Sequence, residues 1–199
     1  MKWNDFLRIF FLPLYQPLKG IRFLLGHPRK MAYSISIFLF LGFIYTLSVQ
    51  LAYMRGIGAA VEPFLKIPAQ EYYYFQRFWQ IPFFFITIIV FSGTVRLLSG
   101  IVYGKGKFED IFCLLAVAQT LPMFIAMWLP ETIMFIFSPG RNMLPAWLDV
   151  GRQMIGIAWP LAVTIAGITI AEKIKWYFSV LFTLIAAIPM TALMVIFVR

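Results

Sequence analysis

Charge is scarce in this sequence, and unevenly signed. Asp and Glu together number 8 in 199 residues against 17 Lys and Arg, and charged residues make up 13%, about half the share usual in soluble domains. A chain that is 62% hydrophobic has too little polar surface to cover a globule in water, so lipid is its expected solvent. His27 and Cys113 are each the only residue of their type. One cysteine excludes an internal disulfide, a CxxC pair and a thiolate metal site, and no cofactor is expected. No HExxH, GxSxG or paired intramembrane aspartates occur, and one glutamate with one arginine does not make a general acid and base, so an enzyme is not expected. The formal charge of +9 does not point to nucleic acid, because the basic residues flank hydrophobic runs. That placement suits anionic lipid headgroups, each nearby cation adding about 1 kcal/mol.

Long apolar runs are what the sequence has in quantity. A spanning helix needs about 20 such residues. Five windows qualify, at about Met31–Met54, Trp79–Tyr103, Ile111–Phe137, Met154–Ala171 and Trp176–Val198. They predict an all-α integral membrane protein with five transmembrane helices, and they follow one another too closely for a second, soluble domain. The third is long enough to tilt or to bend at Pro122 and Pro130. "EKIK" and "GKGKFED" are turns short enough to force antiparallel neighbours on either side of each. "GKGK" at 104–107 lacks the strand and the hydroxyl residue of a phosphate-binding loop. It reads as a tight turn whose lysines sit at headgroup level, with Glu109 and Asp110 complementing the next helix N-terminus.

Residues 1–30 are expected to form an amphipathic segment at the cytoplasmic interface, ahead of a transmembrane domain over 31–199. Arg8, Pro13, Pro17 and Lys19 interrupt any signal-peptide core. Trp3, Phe6, Leu7, Phe10, Phe11 and Leu14 share one helical face opposite Lys2, Asp5 and Arg8, which predicts a helix lying in the membrane surface, with packing under the bundle as the alternative. Orientation follows the lysine and arginine bias. An inside N-terminus puts Lys2, Arg8, Lys19, Arg22, Arg29, Lys30, Lys105, Lys107, Lys173 and Lys175 in the cytoplasm, against Arg55, Lys66, Arg77, Arg141, Arg152 and Arg199 outside. The inside set from Arg8 onward supplies the candidate contacts to lipid headgroups or to a partner. Tyr72 to Phe75 with Trp79 fit an aromatic belt at the far interface, a packed loop being the alternative.

Arg96 stands inside the second apolar run, eight residues before Gly104 and so about 12 Å below its end. Snorkelling to the interface is one reading. The other is a buried layer, because Gln119, Thr164 and Thr183 fall at a similar depth in the third, fourth and fifth spans. Unpartnered polar groups in hydrocarbon turn toward one another, which predicts that the guanidinium donates to the Gln119 amide oxygen and that Glu172 supplies the counter-charge. Gly93, Gly100 and Gly104, and the ridge Ala158, Ala162 and Ala166, are candidate close-packing positions.

The run "LLSGIVYGKGKFEDIFCLLAVAQTLP" and the final hairpin "GITIAEKIKWYFSVLFTLIAAIP" resemble the Yip domain, the family of Ypt/Rab-interacting membrane proteins. "LPLYQPLKGIRFLLGHPRK" is similar to the short basic leading segment of its prokaryotic members. The resemblance implies a five-span helical fold with a cytoplasmic N-terminus, in a prokaryotic cytoplasmic (inner) membrane. Eukaryotic members bind Rab GTPases through a long N-terminal region that this sequence lacks, so Rab binding is not expected. Two functions are left open. One is a non-enzymatic protein that organises anionic lipid or holds a membrane-protein partner or a second copy. The other is a small transporter or channel for an anion or lipid headgroup, using the Arg96 layer as an oligomer.

Overall fold

The computed structural model describes residues 2–58, 67–137 and 145–197. Lys66, Arg141 and Arg199, three of the cations assigned to the far side, lie outside the described residues. Those described form helices without a strand, and five of these helices are long and apolar enough to cross a membrane. The chain is an all-α polytopic membrane protein.

Helices α1 (Trp3–Tyr15) and α2 (Pro17–Gly26) precede the spans. The spans are α3 (Lys30–Met54), α4 (Tyr72–Ile101), α5 (Phe108–Phe137), α6 (Ala146–Glu172) and α7 (Trp176–Phe197). The end of the bundle holding the N-terminus and the turns after α4 and α6 is called the near end. Apart from α3, whose start is one residue early, the first four spans begin well ahead of their apolar windows: α4 at Tyr72, α5 at Phe108 and α6 at Ala146. Helix backbone continues into polar headgroup territory because its hydrogen bonds close internally whatever the side chains meet.

Helix α5 is the central span: Ile111 to Ala118 are 0 to 3% exposed, and α3, α4 and α6 pack around it. It does not break at its prolines. Two wide π-type turns, Leu115–Gln119 and Phe124–Trp128, come just before Pro122 and Pro130. A proline cannot donate to the carbonyl four residues back and its ring crowds that carbonyl, so a widened turn upstream absorbs the mismatch. Side-chain donors also reach carbonyls of these turns. Thr120 Oγ1 donates to the Leu115 oxygen at 3.2 Å, and Arg152 Nη1 of α6 donates to the Met127 oxygen at 2.8 Å.

Close packing of α6 on α5 depends on two glycines other than those expected from the sequence, of which Gly104 makes a close contact. A Cβ at Gly167 would sit 2.2 Å from Leu114 Cδ1, and one at Gly156 would sit 2.3 Å from Met127 Cγ, so these two let α6 lie on α5. Gly93 and Gly100 meet nothing within 4 Å, and Ala158 and Ala162 face outward, with Ala166 half-buried. The expected small-residue ridges are thus displaced: on α6 the buried stripe runs through Gly156, Pro160, Val163 and Gly167. Spacing alone could not tell which side of α6 the neighbours occupy.

The N-terminal segment differs most from expectation. In place of one surface helix, the break at Gln16–Pro17 gives two helices packed against each other. They are not a separate unit, because Ile9, Leu12, Ile21 and Leu24 are buried and Ile9, Ile21 and Leu24 join the core formed by the spans. At the far end the tyrosine run divides. Tyr72 and Tyr73 are buried in a second apolar cluster with Val49, Ala52 and Phe135. Tyr74, Phe75 and Phe78 face out, and the Arg77 guanidinium lies 4.3 Å from the Tyr74 ring and 4.6 Å from the Phe78 ring.

Candidate functional site

The near end assembles a polar cluster from three elements. Arg96, on the last third of α4, is 35% exposed along its side chain. Its Nη1 donates to Glu172 Oε2 at 3.1 Å, to the Gly104 oxygen at 3.2 Å and to Ser99 Oγ at 3.1 Å. The Ser99 hydroxyl in turn donates to the Arg96 oxygen at 3.1 Å, fixing the arginine against its own helix.

Glu172, the last residue of α6, is wholly buried. Its Oε2 also accepts from the Gly106 N–H at 2.9 Å, and its backbone oxygen accepts from the Lys105 N–H at 2.9 Å. The "GKG" turn therefore closes over the end of α6 and makes it fast to α4. The glycines are required by contact: a Cβ at Gly104 would lie 2.6 Å from Glu172 Oε2, and one at Gly106 would lie 2.8 Å from Glu172 Cδ. Tyr103 and Lys173, flanking the two turns, both adopt positive φ, at 60° and 57°. Those left-handed residues reverse the chain sharply enough to bring the two turns together.

The four-residue layer predicted for the interior does not form. Arg96 meets Glu172 and not Gln119. An arginine stem spans more than a helical turn, so the guanidinium climbs to the turn, where a carboxylate and a free carbonyl outbid an amide. Gln119 lines a cavity of about 30 Å³ between α3, α4, α5 and α7, with Phe38, Phe84, Thr87, Thr120, Met123, Trp128 and Met190 among its walls. Arg96 is not part of that wall. Thr164 and Thr183 are buried, and their hydroxyls have no partner among the described residues. Polar contacts between spans that the sequence reading missed lie elsewhere: Thr169 Oγ1, whose proton goes to the Ile165 oxygen, accepts from Ser179 Oγ at 2.8 Å between α6 and α7, and Ser48 and Thr132 share a 2.6 Å hydrogen bond between α3 and α5. Single serines and threonines give no sequence signal, because each satisfies itself as readily on its own helix.

The basic residues sort into paired and free. Lys30 is engaged by Asp110 and by Glu109, the latter at 3.4 Å. Asp110 also accepts from the Lys107 N–H at 3.0 Å and so caps α5. Lys30 is therefore an internal tie and not an open headgroup contact. The Arg8 guanidinium covers the Phe23 ring at 4.3 Å. Lys19, Arg22, Arg29, Lys105, Lys107, Lys173 and Lys175 are exposed. His27 Nδ1 accepts from the Arg29 N–H at 3.1 Å, which leaves the ring proton on Nε2, 3.6 Å from Asp5 Oδ2. The lone histidine thus joins α1, α2 and the start of α3.

Among the described residues no cluster of His, Cys, Asp and Glu is placed to hold a metal ion. What the near end can do chemically is present positive charge, since each carboxylate described there already faces a basic side chain of the chain. No protein-family model matches the chain, and neither a curated protein nor a solved structure does.

Proposed function

We infer that this is a non-enzymatic membrane protein that organises anionic lipid, or holds a partner protein, through the basic near end of its bundle. One observation carries the reading: five exposed cations, Arg29, Lys105, Lys107, Lys173 and Lys175, crowd one end, from the start of α3 and both turns, while the acidic groups there are spent on internal pairs. At about 1 kcal/mol for each cation near an anionic surface, such a face holds acidic headgroups without a pocket. By the lysine and arginine bias this end faces the cytoplasm, and the resemblance to prokaryotic Yip-domain members implies an inner membrane. Membership of the Yip family belongs to the same proposal, supported by the runs around "YGKGKFED" and "AEKIKW" and by the five-span layout.

Transport of an anion past Arg96 has less support. Its guanidinium is engaged by Glu172, Ser99 and a backbone carbonyl, and the cavity beside Gln119, at about 30 Å³, has room for a water or two. The test is lipid retained through purification from vesicles of phosphatidylcholine with phosphatidylglycerol, measured by mass spectrometry. Enrichment of phosphatidylglycerol that falls when Lys105, Lys107, Lys173 and Lys175 are changed to Gln supports the reading. Retention in proportion to the vesicle composition overturns it.

A further inference from the structure

The path of α1 and α2 can be read from their contacts. The Lys2 N–H donates to Tyr33 Oη at 3.0 Å near the start of α3, and the Phe10 ring meets the Phe40 ring at 6.4 Å. Eight residues separate the first members of these contacts and seven the second, rises of about 12 and about 10.5 Å. The two helices climb at the same rate, so α1 runs alongside α3 and not across it. Helix α2 returns antiparallel: Asp5 faces His27, Arg8 covers Phe23, and a Cβ at Gly20 would strike the Pro13 backbone at 2.5 Å. Together α1 and α2 form a re-entrant hairpin with its tip at Gln16–Pro17.

Depth follows from the same register. Lys30, tied to Glu109 and Asp110, marks headgroup level, and Phe40 lies ten residues inside it, about 15 Å. That is the half-thickness of the hydrocarbon core. Arg8, and with it Arg22 beside Phe23, sits about 3 Å shallower. Lys19, beside Gly20 and opposite Pro13, sits deeper than Phe10. Lys19 and Arg22 are exposed on the outer side of the hairpin, next to the exposed Phe11, Tyr15 and Leu18. Neither has an ion-pair partner among the described residues. A lysine stem carries its charge back by about one helical turn, which leaves the ammonium well inside hydrocarbon. An uncompensated cation at that depth is relieved only if polar material comes in to meet it.

We propose that the outer face of the α1–α2 hairpin draws phosphates of anionic phospholipids below the level of the surrounding headgroups, so that the leaflet is locally thinned along α2. The proposal rests on the anionic-lipid reading above and adds its place and its consequence. Lys19 and Arg22 bind the phosphates, while Phe11, Tyr15 and Leu18 lie against the displaced acyl chains.

The experiment uses the full chain in vesicles containing phosphatidylglycerol, with a single added cysteine and an impermeant, water-soluble maleimide. Leu18→Cys reports on the hairpin tip with both cations intact. Arg29→Cys reports the headgroup surface, and Leu184→Cys, exposed on α7 nine residues past Lys175, reports undisturbed hydrocarbon. The unsubstituted chain, whose Cys113 is fully buried, is the blank. Leu18→Cys is expected to react at a rate comparable with Arg29→Cys, and to slow to the rate of Leu184→Cys when Lys19→Gln and Arg22→Gln are added. The same double change is expected to cut phosphatidylglycerol retention about fivefold for each cation. A Leu18→Cys chain that reacts no faster than Leu184→Cys, while phosphatidylglycerol is still enriched, overturns the hairpin proposal alone. Absence of enrichment in the unsubstituted chain overturns the broader reading and the proposal with it. Lys19→Arg with Arg22→Lys keeps both charges and should restore labelling, which separates a charge effect from a misfolded hairpin.

Discussion

Two polar regions of this molecule behave in opposite ways. At the near end, Arg96, Ser99, Glu172 and the Gly104–Gly106 turn are joined across three elements, with Glu172 Oε1 left without a partner among the described residues. In the interior, Ser92, Thr164 and Thr183 are buried with hydroxyls that meet nothing among the described residues, and Gln80 is buried with neither amide atom partnered. The difference lies in what backbone is on offer. Inside a span each N–H and C=O is consumed by its own helix, so a side chain must share one of those carbonyls or meet a hydroxyl of the next span in register, as Ser48 with Thr132 and Thr169 with Ser179 do. A turn has free N–H groups and carbonyls, and Gly104, Lys105 and Gly106 supply them. The ion pairs among the described residues accordingly lie toward helix ends.

The largest expected effect removes the cation from that cluster. Arg96→Ala leaves the Glu172 carboxylate, wholly buried, held only by the Gly106 N–H. Loss of one partner from a buried pair costs about 3 kcal/mol, read as a lowered denaturation midpoint in detergent. A midpoint unchanged from the parent would mean that the clasp carries no stability and would erase the contrast between the two regions. Next in size is Gly106→Ala, whose added carbon falls 2.8 Å from Glu172 Cδ and 2.9 Å from the Ala171 oxygen. Neither neighbour can swing away, so overpacking of about 2 kcal/mol is expected in the same assay. Glu172→Gln sharpens the comparison through an asymmetry. The amide still accepts from Gly106 and Arg96, and the arginine, 35% exposed, reaches a polar phase by itself. A loss of about 1 kcal/mol is expected, smaller than for Arg96→Ala, because the deeper of the two charges is the one removed. Equal losses would show that both charges are equally shut in.

Much of this architecture was legible because lipid imposes a simple rule. About 20 apolar residues must be helix, so the five spans, their order and the two short turns could be read directly. Glu172 as counter-charge to Arg96 was also readable, since so few carboxylates are available at that end. What escaped reading was rotation and register. Gly100 and Gly104 show the required spacing, yet Gly104 touches Glu172 and Gly100 meets nothing, because spacing does not say where the neighbour stands. The "GKGK" turn looked bland since its function depends on a glutamate 66 residues away from Gly106. The N-terminal stripe was read off-centre: Phe6, Phe10 and Leu14 pack on the core, but Trp3 and Phe11 are exposed and the buried Ile9 and Leu12 lay outside it, and such a stripe is equally served by lipid and by a bundle. It took the contacts of Lys2 and Phe10 with α3 to choose the bundle.

The smallest effect tests the interior half of the comparison, and its sign is opposite. Thr183 is 1% exposed and its Oγ1 meets no partner among the described residues. Other threonines in spans avoid this by donating to a carbonyl four residues back on their own helix, as Thr46, Thr94 and Thr169 do at 2.9 Å. Thr183→Val keeps the branched shape and replaces the hydroxyl by a methyl group that needs no partner. If the hydroxyl is dry, its desolvation is relieved and the protein gains about 0.5 kcal/mol. A loss of similar size would mean that a buried water bridges Thr183 to a neighbour. In that case the interior polar residues are joined after all, by solvent in place of direct contact, and the division between ends and middle gives way to one hydrated line through the bundle.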